Sequence, residues 1–268
     1  MKSPPLWLYL SNLILTGKFY CLNFFLLKNS DDRIFLSHQH YLLYNLFIYR
    51  EEEYMKKILV TGFNPFGGEK INPALEVIKL LPKKIGDNEI KILEIPTVYK
   101  KSIEKIDKEI ENYNPDYILS IGQAGGRTDI SIERVAINID DFRIKDNEGN
   151  QPIDEKIYSD GDNAYFSTLP IKAIQNEITK NNIPASISNT AGTFVCNHVF
   201  YGVRYLVEKK YKGKKSGFIH IPYLPEQVIG KVNTPSMNLD NILKGIIIAI
   251  ETIFSVEDDI KKLGGSIC

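Results

Sequence analysis

Cysteine is scarce in this sequence. Cys21, Cys196 and Cys268 are the only three in 268 residues, too few and too scattered for a disulfide framework. That scarcity fits a reducing compartment, and a cytoplasmic location is expected. Histidine is also sparse: His38, His40, His198 and His220. No set of Cys, His and carboxylates has zinc-ligand spacing, so no metal site is expected. An excess of either charge is missing too. The 33 Lys and Arg balance 33 Asp and Glu, with signs interleaved, so no basic field would attract nucleic acid. Long apolar runs are lacking: Leu6–Leu15 is shorter than the roughly 20 residues a spanning helix needs, and no clear membrane association is expected. Neither G-x-G-x-x-G nor Gly-Lys-Ser/Thr occurs, which argues against those two nucleotide-binding loops. Internal repeats and low-complexity tracts are absent.

Residues 1–54 carry Leu, Phe, Tyr and Asn without sustained strand or helix periodicity. Lys2 and Leu6–Leu15 resemble the opening of a signal peptide, but no small-residue cleavage site follows. Met55-Lys56-Lys57-Ile58-Leu59-Val60 reads as the opening of an α/β domain on its first strand. Arg50-Glu51-Glu52-Glu53 reads as the in-frame translation of a purine-rich ribosome-binding site. The expected organisation is an N-terminal extension over 1–54, either a start assigned too far upstream or a poorly ordered or membrane-associated segment, and a catalytic domain over 55–268.

From Met55 onward strand-like and helix-like runs alternate. Lys57–Thr61, Glu89–Ile95, Tyr117–Ile121, Val135–Ile139, Ala185–Ser188 and Gly217–Ile221 read as strands. Pro73–Leu81, Tyr99–Tyr113, Pro170–Lys180, Cys196–Lys209 and Asn241–Phe254 read as helices. Tyr117–Ile121 is almost wholly apolar, as in a strand buried on both faces. Ile103, Ile106 and Ile110 form a helical stripe. The alternation predicts a three-layer α/β/α sandwich around a mainly parallel, mixed sheet. Ligands in open α/β sheets sit beyond the carboxyl ends of the strands. The loops Gly62–Gly68, Gly122–Arg127, Asn189–Cys196 and His220–Pro225 are expected to converge there.

Cys196 stands at a loop-to-helix junction. Helix-start N–H groups would lower its pKa and could hold an oxyanion; alternatively it is a buried structural thiol. A thiol nucleophile needs a base and a group to orient that base. His198 is only two residues away on the same helix, so it faces elsewhere and reads as a packing residue. His220, near a strand end, is the better base, or else an ordinary core histidine. Glu133 sits in an apolar run and needs a partner: either Arg134, as a local ion pair, or His220, whose tautomer it would fix.

Six segments in order resemble one family. They are Val60–Gly68 (VTGFNPFGG), Gly122–Arg127 (GQAGGR), Glu133–Asn138 (ERVAIN), Asp146–Pro152 (DNEGNQP), Thr190–His198 (TAGTFVCNH) and Gly217–Tyr223 (GFIHIPY). Together they resemble pyroglutamyl peptidase I, over Met55 to about Asp259. The resemblance implies a phosphorylase/hydrolase-like fold, often tetrameric, so a homo-oligomer (dimer or tetramer) is expected. It implies a cofactor-free cysteine omega-peptidase that removes an N-terminal pyroglutamyl residue from peptides through a thioester acyl-enzyme. By resemblance Cys196 is the nucleophile, His220 the general base and acid, and Glu133 the orienting carboxylate. A compact lactam calls for an apolar slot with one donor and one acceptor. Phe63, Phe66, Ile144, Phe194 and Val195 match the pocket wall, as does Thr97. Gln123 matches the backbone that pairs with the lactam, and Arg143 is expected near the oxyanion. Lys145 replaces a proline common in relatives. Two alternatives stay open: a nucleoside phosphorylase on a related fold, and a non-catalytic lactam-binding module. A tail at Cys268 could join subunits under oxidising conditions, although a free end is the simpler expectation.

Overall fold

A computed structural model describes residues 55–265 of the chain. The expectations for residues 1–54 and for Cys268 lie outside the described residues.

Three strands form the centre of the sheet: β1 (Lys57–Phe63), β4 (Tyr117–Gln123) and β9 (Lys215–Ile221). Each is buried along all but its first residue, because helices cover both faces of a parallel sheet. The remaining strands are β2 (Lys84–Ile85), β3 (Asn88–Ile95), β5 (Ile130–Glu133), β6 (Val135–Ile137), β7 (Ala164–Phe166) and β8 (Ala185–Ser188). The main sheet has the order β2-β3-β1-β4-β9-β5-β8. Pairings from β3 through β1 and β4 to β9 are parallel. Then the direction flips: β5 is antiparallel to β9, and β8 is parallel to β5. The mixed, mainly parallel sheet expected from the sequence is present. Val135–Ile137 leaves it, pairing with β7 in a separate two-stranded ribbon.

Five α-helices complete the described domain: α1 (Pro73–Lys79), α2 (Lys101–Tyr113), α3 (Ile171–Lys180), α4 (Val195–Lys209) and α5 (Leu239–Ser255). Asn72 caps α1 by accepting from the Ala74 N–H, with Pro73 in the first turn, where a missing N–H costs nothing. Alternation along the strands divides the core. Ile58, Val60, Leu119, Ile121, Ile219 and Ile221 pack with α1, α3 and α5. Leu59, Phe63, Ile118 and Phe218 pack with α2 and α4. The second face carries the site. On α4, Val199, Phe200, Val203 and Val207 are buried against it, each worth roughly 1.5–3 kcal/mol relative to exposure. Among the described residues no helix is long and apolar enough to cross a membrane.

The four loops converge as expected, but the flip at β5 changes how one of them arrives. Gly62–Gly68, Gly122–Arg127 and His220–Pro225 follow strands of one direction, whereas β8 runs the opposite way. The loop Asn189–Phe194 therefore has to turn back before α4. Gly192 at φ +77° makes that turn, a conformation costly for residues with a side chain. The Thr190 hydroxyl accepts from the Gly192 N–H.

Candidate active site

His220 and Glu133 meet because of strand register. In the antiparallel pair, Ser131 lies opposite His220 and Phe218 opposite Glu133. Glu133 is thus the diagonal neighbour of His220 on the same face, within reach of a long side chain. Both are buried, at 0% and 3% exposure. The ring Nδ1 lies 2.7 Å from Glu133 Oε1. Burial pushes the Glu133 carboxyl up, but the hydrogen bond and charge of His220 and the charge of Arg127 outweigh it and hold the group below its ordinary value. An ionised carboxylate only accepts, so Nδ1 carries the proton and Nε2 offers a lone pair. Burial is the largest influence on His220 and pushes it down; Glu133 opposes the shift and Arg127 adds to it. The resting ring is neutral at pH 7.

Cys196 reaches the same place from α4. Gly122 is the register partner of His220 on β4. A Cβ at Gly122 would stand 3.0 Å from Cys196 Sγ and 2.8 Å from Phe218 Cζ. The missing side chain at 122 is what makes room for the sulfur over the sheet beside the His220 position. Asn197 fixes the helix start: its amide donates to the carbonyls of Ile137 and Ile139 and accepts from the Ile137 N–H. The N-cap residue Phe194 supplies no side-chain hydrogen bond, which leaves first-turn N–H groups available to an anion. Among the described residues no hydrogen bond joins the thiol to the imidazole; such contacts in free enzymes are often long and tighten with substrate.

The thiol itself departs from expectation. Cys196 retains partial exposure as a residue, but its sulfur lies among packed neighbours, and burial pushes the thiol up to about 12. The Glu133 carboxylate adds to this and Arg127 opposes it. Burial thus opposes the helix terminus and favours the neutral thiol over a preformed thiolate.

The other predicted residues divide by burial. Phe63 (2%) and Val195 (0%) belong to the core beneath the site, and the Phe63 ring centroid is 6.3 Å from that of Phe218. Phe66 and Phe194 are partly exposed and meet at 5.9 Å. Phe142 stacks edge-on to Phe194 at 4.7 Å. Ile144 Cδ1 lies 4.0 Å from where a Cβ on Gly67 would stand. Thr97 is buried and clasped to Asn64, its N–H donating to the Asn64 side chain and its hydroxyl to the Asn64 carbonyl. The Gln123 side chain accepts from Gln227 at 2.9 Å. Arg143 is exposed, and its guanidinium makes no hydrogen bond within the site among the described residues.

His198 is a packing residue, as the helix-face argument predicts. It is 1% exposed, its Nδ1 lies 2.8 Å from Asp140 Oδ2, and its Nε2 accepts from the Lys100 N–H. The Glu133–Arg134 pairing is not formed; Arg134 donates instead to the Gly264 carbonyl. Arg127 was not singled out from sequence, yet it contacts Glu133 Oε1 at 2.6 Å. Its place at the end of a glycine-rich loop after β4 was the available signal.

The family model described as pyroglutamyl peptidase matches residues 56–256. A pyrrolidone-carboxylate peptidase of Fusobacterium nucleatum is 92% identical over 214 residues, covering 80% of this chain and all of that protein. One from Treponema denticola is 64% identical over 216 residues, covering 79% of this chain and all of its own length. The crystal structure of pyroglutamyl peptidase I from Bacillus amyloliquefaciens superposes with a TM-score of 0.76 at 48% identity, covering 78% of this chain and 99% of that one. A pyrrolidone carboxyl peptidase variant from Pyrococcus furiosus gives 0.72 at 46%, covering 74% and 98%. With a shared fold, a match across most of its length and a thiol set beside a carboxylate-bound imidazole, the chain belongs to the pyroglutamyl peptidase family.

Proposed function

We propose that this chain is a cysteine omega-peptidase that cleaves the bond after an N-terminal pyroglutamyl residue of peptides, with Cys196 as nucleophile, His220 as base and acid, and Glu133 as orienting carboxylate. One observation carries the assignment: the Glu133–His220 hydrogen bond of 2.7 Å lies beside the glycine over which the Cys196 sulfur sits. Membership of the family favours this reading over a phosphorylase or a silent binding module.

The electrostatics support one order of events. Thiol and imidazole both rest neutral, so the nucleophile forms as it attacks. His220 Nε2 takes the Cys196 proton while sulfur bonds to the pyroglutamyl carbonyl carbon, and Glu133 stabilises the imidazolium. First-turn N–H groups of α4 hold the tetrahedral oxyanion. The C–N bond then breaks as His220 protonates the departing amine, leaving a thioester on Cys196. Water attacks the thioester with His220 again taking the proton, and the released thiolate recovers it. The lactam ring fits an apolar slot: Phe66, Phe194 and Ile144 at its mouth, Phe63 and Val195 beneath, Thr97 on the flank. In this reading Gln123 pairs with the lactam through its backbone, and Arg143, exposed at rest, assists the Cys196 N–H at the oxyanion. None of these steps draws on a cofactor.

The catalytic domain is read as beginning at Met55, since the 214 residues matched in the Fusobacterium protein equal the length from Met55 to Cys268. Expression of Met55–Cys268 tests this, and a protein that fails to fold and turn over the anilide refutes it. A cytoplasmic location rests on the scattered cysteines. Self-association is proposed from the family resemblance, and light scattering reads the assembly size. Activity is tested by hydrolysis of a pyroglutamyl anilide. Cys196→Ala abolishes turnover, and substrate protects the wild type from iodoacetamide. An active Cys196→Ala enzyme removes the nucleophile assignment.

A further inference from the structure

Arg127 is the cation nearest the Glu133 carboxylate, and its position is built with care. β4 ends in a turn in which the Arg127 N–H donates to the Ala124 carbonyl, with Gly126 at φ +91°. A side chain at position 125 has no room, because its Cβ would fall 2.2 Å from Tyr223 Cζ. The guanidinium reaches toward β5 and the Thr190 segment. One arm, Nη1, reaches Glu133 Oε1 at 2.6 Å, and the other, Nη2, donates to the Thr190 carbonyl at 3.0 Å. Thr190 is part of the returning loop that delivers Cys196, and the Ser188 hydroxyl donates to the same carbonyl. One planar fork thus ties the strand bearing the carboxylate to the loop bearing the thiol. Glu133 Oε1 receives both the arginine and the His220 ring.

Resting on the peptidase reading above, we infer that Arg127 is a positioning residue of the reaction: it keeps Glu133 ionised and aimed at His220 while holding the Thr190 segment so that Cys196 and His220 stay in register. The charged and titratable groups facing this centre are Glu133 on β5, His220 on β9, Cys196 on α4 and Asp129, which accepts from the Ser131 hydroxyl opposite His220. Among the described residues Arg127 is the one cation in this group. It works against protonation of His220 and in favour of ionisation of Cys196. Glu133 does the opposite at each group, so Arg127 offsets part of the carboxylate's effect on the dyad. Lysine would keep the charge but has no fork and cannot hold both acceptors at these distances.

The test compares Arg127→Met and Arg127→Lys with wild type. Its readouts are the pH profile of kcat/KM on a pyroglutamyl anilide and the rate of Cys196 alkylation by iodoacetamide. In Arg127→Met, kcat/KM falls about a hundredfold. Its acid limb moves up by about one pH unit, because His220 now protonates more readily, and alkylation at neutral pH slows about tenfold. Arg127→Lys returns the acid limb and the alkylation rate close to wild type, but kcat stays down about tenfold because the tie to Thr190 is lost. An unmoved acid limb in Arg127→Met refutes the inference whatever happens to kcat/KM, since general loosening of the fold would not shift a pH limb selectively. Should Arg127→Met not fold, Arg127→Lys decides: kcat within twofold of wild type overturns the bridging role. Alkylation needs no substrate. A wild type that ignores the anilide therefore sinks the peptidase reading, while the alkylation rates still judge Arg127.

Discussion

Replacing Gly122 by alanine tests the claim that an absent side chain creates the space for the nucleophile. The new Cβ would stand 2.8 Å from Phe218 Cζ, 2.9 Å from Phe218 Cε1 and 3.0 Å from Cys196 Sγ. Comfortable carbon–carbon separations are about 3.5–4.0 Å, so each contact overlaps by several tenths of an ångström. The Phe218 ring has little freedom to yield. It is 1% exposed and lies between Phe63, Phe200 and His220, with centroid distances of 6.3, 5.8 and 4.8 Å. Overpacking of this kind costs roughly 1–3 kcal/mol, or about 2–4 °C in Tm per kcal/mol for a domain of this size. The sulfur has an easier escape by rotation about the Cα–Cβ bond, which carries it away from the His220 position. A displacement near 1 Å at a reacting atom costs about a hundredfold in rate.

Gly122→Ala should therefore lose about a hundredfold in kcat on a pyroglutamyl anilide while melting a few degrees lower. Adding Phe218→Leu separates the two effects, since it relieves the ring contact and leaves the sulfur contact. The double variant should recover part of the Tm loss without recovering kcat. Wild-type kcat in Gly122→Ala would refute the placement of Cys196, and so would joint recovery of Tm and kcat in the double variant.

Three further outcomes follow from the same geometry. His220→Gln should lower kcat/KM by more than about a thousandfold. His198→Gln should cost less than tenfold in kcat/KM but lower the Tm, because Asp140 is 0% exposed and loses its ring partner; the reverse order of activities would overturn the choice of base. Because burial pushes Cys196 from 9.0 up to about 12, alkylation of wild type should keep rising from pH 6 to above pH 9; a plateau below pH 7 would reveal a preformed thiolate. The same shift bears on stability. Above pH 9 the unfolded thiol ionises while the folded one stays protonated, so stability falls as pH rises, and Cys196→Ala should gain Tm over wild type in that range. At the acid end Glu133 is depressed: its contribution is present above its unfolded value of 4.5 and is lost as pH falls through the lower folded value. Glu133→Gln should flatten the acid limb of a Tm–pH curve.

The sequence marks chemistry where it is local and leaves open what pairing decides. His198 could be set aside from its spacing alone, because two residues along a helix turn a side chain to another face, and the structure gives it Asp140 and the Lys100 N–H instead of the site. The helices with apolar stripes and the nearly all-apolar Tyr117–Ile121 run were legible for the same reason: their periodicity reports their own burial. The Glu133–His220 contact spans 87 positions and exists only because β5 runs against β9. A run as short as Ile-Ser-Ile carries no sign of its direction, so Arg134 and His220 remained equal partners on paper. The four loops do converge, with Phe66 against Phe194, Arg127 on the Thr190 carbonyl and Tyr223 against Gly125. That Asn189–Cys196 arrives from a strand of the opposite direction is not written in so short a run. The thiol shows most plainly where local reasoning stops. A helix start favours the thiolate by about 0.3–2 kcal/mol, whereas burial acts through every neighbour that folding brings in, from Phe218 on β9 to the carboxylate on β5. A neutral pair that exchanges its proton during attack is the form this packing favours. The enzyme then holds no standing charge separation in an apolar slot, and the ion pair has to be sustained only while the substrate supplies an oxyanion to balance it.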